Sequence, residues 1–214
     1  GVIEESAKNI ANVVKRTSKI YSNTINGLAK QDLNLLKKNK KQGSKLATEI
    51  EDLRNHTFYF IKNLEEAHIG ASNFYINAMG HLTDISQSLE YIGKVSHKHV
   101  NNNHKKLKYN QIKELKQIDN KLAEILENTS NAFEERSFEK IGNILNNKQE
   151  LYDLVSQKIK LQVERTRTEE SSPKNTTLYF SILLETKDLM TATMNLLEQY
   201  YKEYDEKIVP ARLD

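Results

Sequence analysis

Apolar residues recur along the chain at alternating steps of three and four, the spacing that puts them on one stripe of an α-helix. One such run, around which the rest of the chain is organised, covers residues 74–104. There Phe74, Ala78, Leu82, Ile85, Leu89 and Ile92 predict an amphipathic helix whose seam packs on its neighbours. Asn101, Asn102 and Asn103 close it, because Asn tolerates the left-handed conformation at a helix C-terminus. Gly80 and Gly93 interrupt the pattern at a cost of about 1 kcal/mol each against Ala. Such a cost predicts another helix approaching closely at both positions.

The same spacing predicts five more helices. Ile3, Ile10, Val13, Thr17, Ile20, Thr24 and Leu28 mark a first helix over residues 2–29, with Gly27 near its end and then Gln31-Asp32 marking a short break. A second runs over 32–67 with Leu46, Ile50, Leu53, Thr57, Phe60 and Leu64 as its seam; its stretch 37–44 is so polar that only the ends read as helix. Residues 68–72 turn the chain into the third. Beyond the asparagines, Ile112, Leu115, Asp119, Leu122, Leu126, Thr129 and Phe133 predict a fourth helix, broken at Arg136-Ser137. Ile141, Ile144, Leu151, Val155, Ile159 and Val163 predict one continuous fifth. Pro173, suited to the first turn of a helix, opens a sixth that carries Leu178, Ile182, Leu189, Thr193, Leu196 and Tyr200.

Long helices in two triplets, each with a break after its first member, form a repeat of architecture. Ser22-Asn23 and Ser130-Asn131 fall at equivalent places in it. The expected fold is all-α, an antiparallel helical bundle. Few Gly (seven) and Pro (two) in 214 residues agree with that. No apolar run approaches the ~18 residues of a membrane span. Absence of Cys excludes a disulfide framework and thiolate metal sites, and is compatible with a reducing compartment. Gly1 is followed at once by a helical pattern, with neither Met nor a signal peptide, so the natural chain is expected to continue upstream.

The net charge of +3 is too small to indicate nucleic acid as a partner. Lys37, Lys38, Lys40, Lys41 and Lys45 nevertheless form a run with no acid among them. Its plain reading is a solvated helix face. The sharper reading is a surface for a partner or for anionic lipid headgroups, where each basic residue is worth about 1 kcal/mol.

Ser88-Leu89-Glu90-Tyr91-Ile92-Gly93-Lys94 resembles the Asp-Leu-Glu-Arg-Ile-Gly-Asp segment on the third helix of PhoU-family proteins. The run from Leu82 through SLEYIGKVSHKHVNNNHKKL is more similar still to the PhoU-like C-terminal domain of bacterial inorganic phosphate permeases of the PiT family. The resemblance implies a PhoU-like bundle of six long helices as two three-helix units, residues 1–104 and 105–214. It implies a regulatory or accessory role on the cytoplasmic face of the inner membrane, beside a parent protein that moves phosphate with a coupling cation. The implied partner is the transmembrane part of the same permease, with anionic lipid headgroups and a second copy of the chain as further candidates. The alternative is a free-standing PhoU-type regulator of phosphate uptake or signalling.

PhoU-like proteins often hold a divalent or ferric ion through carboxylates spaced i, i+4 on the third and sixth helices. Here Glu90 takes the first position, but Lys94 takes the second and favours a Glu–Lys helix pair. Asp84 lies too far round the helix to replace the lost ligand. On the sixth helix Glu185 and Asp188 are i, i+3 and remain candidates. No cofactor is otherwise expected.

His56, His68, His81, His97, His99 and His104 form no zinc template. The last three gather where a helix C-terminus favours cations, which predicts a capping role. Tyr200, Tyr201 and Tyr204 read as a bundle rim with wet hydroxyls. No nucleophile–base–acid order, Gly-rich phosphate loop or Glu-x-x-His pair is present, so the chain does not read as an enzyme or a metal-storage bundle.

Overall fold

The computed structural model describes residues 2–63 and 72–202. Seven helices lie among them: α1 (Val2–Lys30), α2 (Leu33–Lys62), α3 (Ser72–Asn101), α4 (Tyr109–Glu135), α5 (Phe138–Asn146), α6 (Lys148–Arg167) and α7 (Pro173–Lys202). They form an all-α antiparallel bundle. α1 packs chiefly on α4, and α3 lies between α2 and α7. Most of the predicted stripes fill the core, but Val163 of the fifth is 44% exposed, Leu53, Thr57 and Phe60 of the second are only half-buried, and Leu64 lies outside the described residues. Ile10, Leu82, Ile92, Leu115, Phe133, Ile141, Leu189 and Leu196 are fully buried, and all belong to one apolar cluster running through both halves of the chain.

Four helices stop in the same way. Gln31, Asn103, Arg136 and Glu169 each take a left-handed φ, between 50° and 58°. Behind each, the next amide reaches back five residues: Asp32 to Gly27, His104 to His99, Ser137 to Ala132 and Glu170 to Arg165, at 2.9–3.2 Å. This double closure satisfies the last carbonyls of a helix and normally uses glycine. None of the four is glycine; Asn103 tolerates the conformation, but Gln31, Arg136 and Glu169 each carry a steric cost of about 1–2 kcal/mol. Glu169→Gly is therefore expected to stabilise the bundle by about 0.5–1 kcal/mol after the extra backbone entropy of glycine. That would raise the melting temperature by about 1–4 °C. A calorimetric melt that falls instead would show that the carboxylate contributes more than the strain.

Asp32 then caps α2 by accepting from the Leu35 amide at 3.0 Å, and Ser137 caps α5 by accepting from Lys140 at 3.3 Å. The two predicted breaks are thus the same device. Gly27 lies inside the last turn of α1, which continues to Lys30. Its missing side chain makes room for Leu36, which would lie 2.8 Å from a β-carbon there.

Other expectations need correcting. The polar stretch 37–44 is helical throughout, because Leu36, Asn39, Gly43 and Leu46 form a buried stripe that polarity on the other face hides. It is the later part of α2 that is exposed, with Phe58 and Tyr59 facing solvent. The predicted extension to residue 67 lies outside the described residues. Gly93 does meet α2, since a β-carbon on it would touch the Lys40 Cα at 3.6 Å; among the described residues nothing lies within 4 Å of a β-carbon on Gly80, so no close approach is seen there. The fifth helix is interrupted at Asn147, whose side-chain amide bonds the Asn143 carbonyl at 2.7 Å. Asparagine competes for backbone groups in this way. Ile144 and Leu151 are both buried across the break, so their spacing of seven conceals it.

The serines of the repeated Ser-Asn pairs both bond across the junction of α1 and α4, at separate places along it. Ser22 donates to Asp119 at 2.6 Å, and Ser130 to the Ala11 carbonyl at 3.2 Å. Burial holds the Asp119 carboxyl above its usual range, against the opposing pull of the Ser22 hydroxyl.

Candidate functional site

The segment that carries the family resemblance lies in the second half of α3. It forms one wall of a groove of about 510 Å³ whose other wall is α7. Asp84, Ser88 and Tyr91 line it from α3, and Glu185, Asp188 and Thr191 from α7. Burial pushes the Glu185 carboxyl up, and the nearby Asp188 adds to this, while the Ser88 hydroxyl opposes it. Two of the three candidate carboxylates therefore come together. Glu90 does not join them: its Cα lies against Gly43 of α2 and it does not line the groove. No ion pair joins Glu90 to Lys94, so the expected helix pair is not formed. Among the described residues no three His, Asp or Glu side chains come close enough to share a metal ion. The donor set therefore does not fit the metal centre that the resemblance implies.

The basic run lies on the opposite side of α3. Lys37, Lys38, Lys41 and Lys45 are exposed and Lys40 is half-buried; among the described residues none of the five forms an ion pair. Antiparallel packing sets the end of α3 beside them. The His97 imidazole is pushed below its usual pKa by burial first, then by the ammonium groups of Lys40 and Lys37. Lys94 and Lys98 are exposed on the same turns of α3. The run is thus part of a two-helix surface.

His99 is buried, and its Nε2 pairs with the Lys105 carbonyl at 2.8 Å, with the His104 ring 5.2 Å away. Burial lowers its pKa as well, so near pH 7 it is neutral and Nε2 donates. His99 therefore ties down the loop after α3 by hydrogen bonding, not as a cation at a helix terminus. Tyr200 is buried against Phe74 and Phe133, while Tyr201 is exposed, which divides the expected rim; Tyr204 lies outside the described residues.

One buried polar network has no counterpart in the sequence reading. Glu114 on α4 is 7% exposed. It accepts from both terminal nitrogens of Arg165 on α6, one at 2.9 Å, and from the Tyr179 hydroxyl of α7 at 2.5 Å. The carboxylate holds the guanidinium above its ordinary pKa. Burial, then Glu114, raises the Tyr179 phenol. Gln162 accepts from Gln111 at 3.0 Å, and Gln111 also donates to Ser171 at 3.3 Å and accepts from the Lys108 amide at 2.9 Å. The network joins α4, α6, α7 and the loops at one end of the bundle. Its members are 51 and 65 residues apart, so no local spacing announces them.

A second cleft of about 420 Å³ opens beside the α5–α6 break, between Asn128, Asn131, Asn143 and Asn147, with Lys121 bonded to Glu150 at its edge at 2.7 Å. Neither opening holds a paired nucleophile and base. Among the described residues no helix is long and apolar enough to cross a membrane.

No protein-family model matches the chain, and no curated protein matches it. Solved structures do. PhoU from Pseudomonas aeruginosa superposes with a TM-score of 0.74 over 92% of this chain and 93% of its own, at 9% identity. The phosphate transport system regulatory protein PhoU from Streptococcus pneumoniae superposes with a TM-score of 0.74 over 94% of this chain and 95% of its own, at 14% identity. At these identities the likeness is one of fold, and the chain has the PhoU-like all-α bundle.

Proposed function

We propose that the chain is a regulatory or accessory domain of phosphate transport, acting by docking and not by chemistry. The observation that carries this reading is the fold shared with two PhoU proteins, one of them described as a phosphate transport system regulatory protein. The finer reading is a PhoU-like domain on the cytoplasmic face of a cation-coupled phosphate permease, with residues 1–104 and 105–214 as its two three-helix units. It is supported by the SLEYIGKVSHKHVNNNHKKL run, which resembles the permease domains more than free PhoU. The second reading, a free-standing regulator, is favoured by a different observation: the superpositions cover 93% and 95% of the PhoU chains themselves. Membrane helices encoded upstream of residue 1 would separate the two. In either case the surface from Lys37 to Lys45 is the candidate contact with the membrane-embedded machinery.

The test is phosphate uptake in cells carrying the full-length protein with and without residues 2–214, at matched expression. Uptake is expected to persist on deletion and to lose its response to phosphate supply. Unchanged uptake with unchanged regulation would overturn the proposal.

A further inference from the structure

Folding sorts the charges of this chain by position along the bundle. The turns at 31–32, 102–108 and 168–172 all lie at one end. The Asn175 side chain donates to the Lys106 carbonyl at 3.1 Å, Gln111 reaches Ser171, and His97 feels Lys37 and Lys40. The three turns and the helix ends that lead into them are residues 21–42, 92–118 and 158–182. They hold 17 of the 32 Lys and Arg but only five of the 29 Asp and Glu.

Of those five acids, Glu114 is consumed by Arg165, Glu164 faces Arg167, and Asp32 caps α2. Among the described residues, Arg165 and Arg167 are the only ones of the seventeen cations in ion pairs. The net charge of +3 is the remainder of a strongly basic end and an acidic rest. At the tip, between Lys108 and Lys113, Tyr109 is 78% exposed.

We propose that this basic end seats on an anionic phospholipid surface, with the bundle steep to the bilayer and the 102–108 turn nearest to it. Unpaired lysines on three adjoining turns present their charge to a plane, and each is worth about a fivefold gain in binding near an anionic leaflet. An exposed tyrosine among them suits the headgroup level, where its ring and hydroxyl are both satisfied. Nucleic acid fits less well: the end offers one exposed aromatic and neither a stacking series nor a groove that tracks a backbone. The choice of a membrane rests on the reading of the bundle as part of transport machinery; the charge sorting does not.

Cosedimentation with vesicles of phosphatidylcholine and phosphatidylglycerol, against phosphatidylcholine alone, tests this. Binding is expected to the anionic vesicles only. It should fall on the order of 100-fold or more in Lys105→Glu/Lys106→Glu/Lys108→Glu. Lys8→Glu/Lys62→Glu/Lys202→Glu changes net charge equally towards the opposite end, about 33–45 Å away and several screening lengths off. That variant should bind as the parent does. The chain has no Trp, so Tyr109→Trp supplies a single reporter whose emission should shift to the blue on anionic vesicles.

No binding, equal loss in the two triple variants, binding without a shift at position 109, or duplex DNA outcompeting the vesicles would each overturn the proposal. Vesicle binding that holds while deletion leaves uptake regulation unchanged would sink the transport reading and spare the docking end. Regulation that holds without vesicle binding would do the reverse.

Discussion

Leu89→Asp is expected to lower stability by at least about 5 kcal/mol, enough to remove most of the 5–15 kcal/mol that holds a domain of this kind together. Leu89 is 1% exposed and belongs to the apolar cluster joining α3 to its neighbours. Truncating a buried Leu costs about 2–5 kcal/mol. Placing a carboxylate there without a counter-ion adds several more. At about 2–4 °C per kcal/mol for a chain of this length, the melting temperature should fall by about 10–20 °C, or the variant should not fold cooperatively. Two companions give the result its meaning. Leu89→Met conserves volume and should cost less than about 1.5 kcal/mol. Tyr91→Asp, two residues on but 43% exposed, should stay within about 1 kcal/mol. Thermal melts of the three, followed by circular dichroism, check the ordering. A Leu89→Asp protein melting within a few degrees of the parent would show that α3 is not the central packed element.

The legible part of this fold is the part in which one residue type recurs at helical spacing. Leu82, Ile85 and Leu89 can be placed without the structure because burial on one face is a local property of a helix. The polar stretch 37–44 defeated the same logic. Its buried stripe is made partly of Asn39 and Gly43, which carry no apolar signal, and α3 approaches over Gly93 where a larger residue would hold it off. The break at Asn147 was hidden for the opposite reason, since Ile144 and Leu151 keep helical phase across it. In the candidate site, Glu185 and Asp188 were visible as a pair on one turn. That they share the α3–α7 groove with Asp84, and that Glu90 is absent from it, depends on the rotation of two helices, which spacing along one cannot give. Charge shows the gap most plainly. A net +3 gives no hint of a basic end, because the lysines of six helices and a loop gather there only when the turns do.

The Glu114–Arg165 pair should give the second large effect, about 3–5 kcal/mol on Arg165→Met. Side-chain exposure is 9% for Glu114 and 15% for Arg165, so solvent screens the pair little. Removing the guanidinium leaves a buried carboxylate whose remaining partner is the Tyr179 hydroxyl, which supplies a hydrogen bond but no charge. The sign of the pH dependence follows. An unpaired buried carboxylate is tolerated when protonated, so the variant should lose more stability at neutral than at mildly acidic pH. Glu114→Gln/Arg165→Met replaces both charges and keeps an acceptor for Tyr179. It should recover most of the loss, because the penalty of a broken buried pair lies mainly in the charge left behind. Chemical denaturation of the parent, both single variants and the double variant closes the cycle, and a coupling below about 0.5 kcal/mol would refute the pair as a unit. Hydrogen exchange locates the effect. α6 is the helix most dependent on this pair, since Leu161 and Val163 near its end face solvent. Amides of residues 156–167 should therefore lose protection in Arg165→Met while those of α1 and the adjoining turns of α4 keep theirs. Uniform loss across the bundle would mean that the network supports the whole core, not one helix of it.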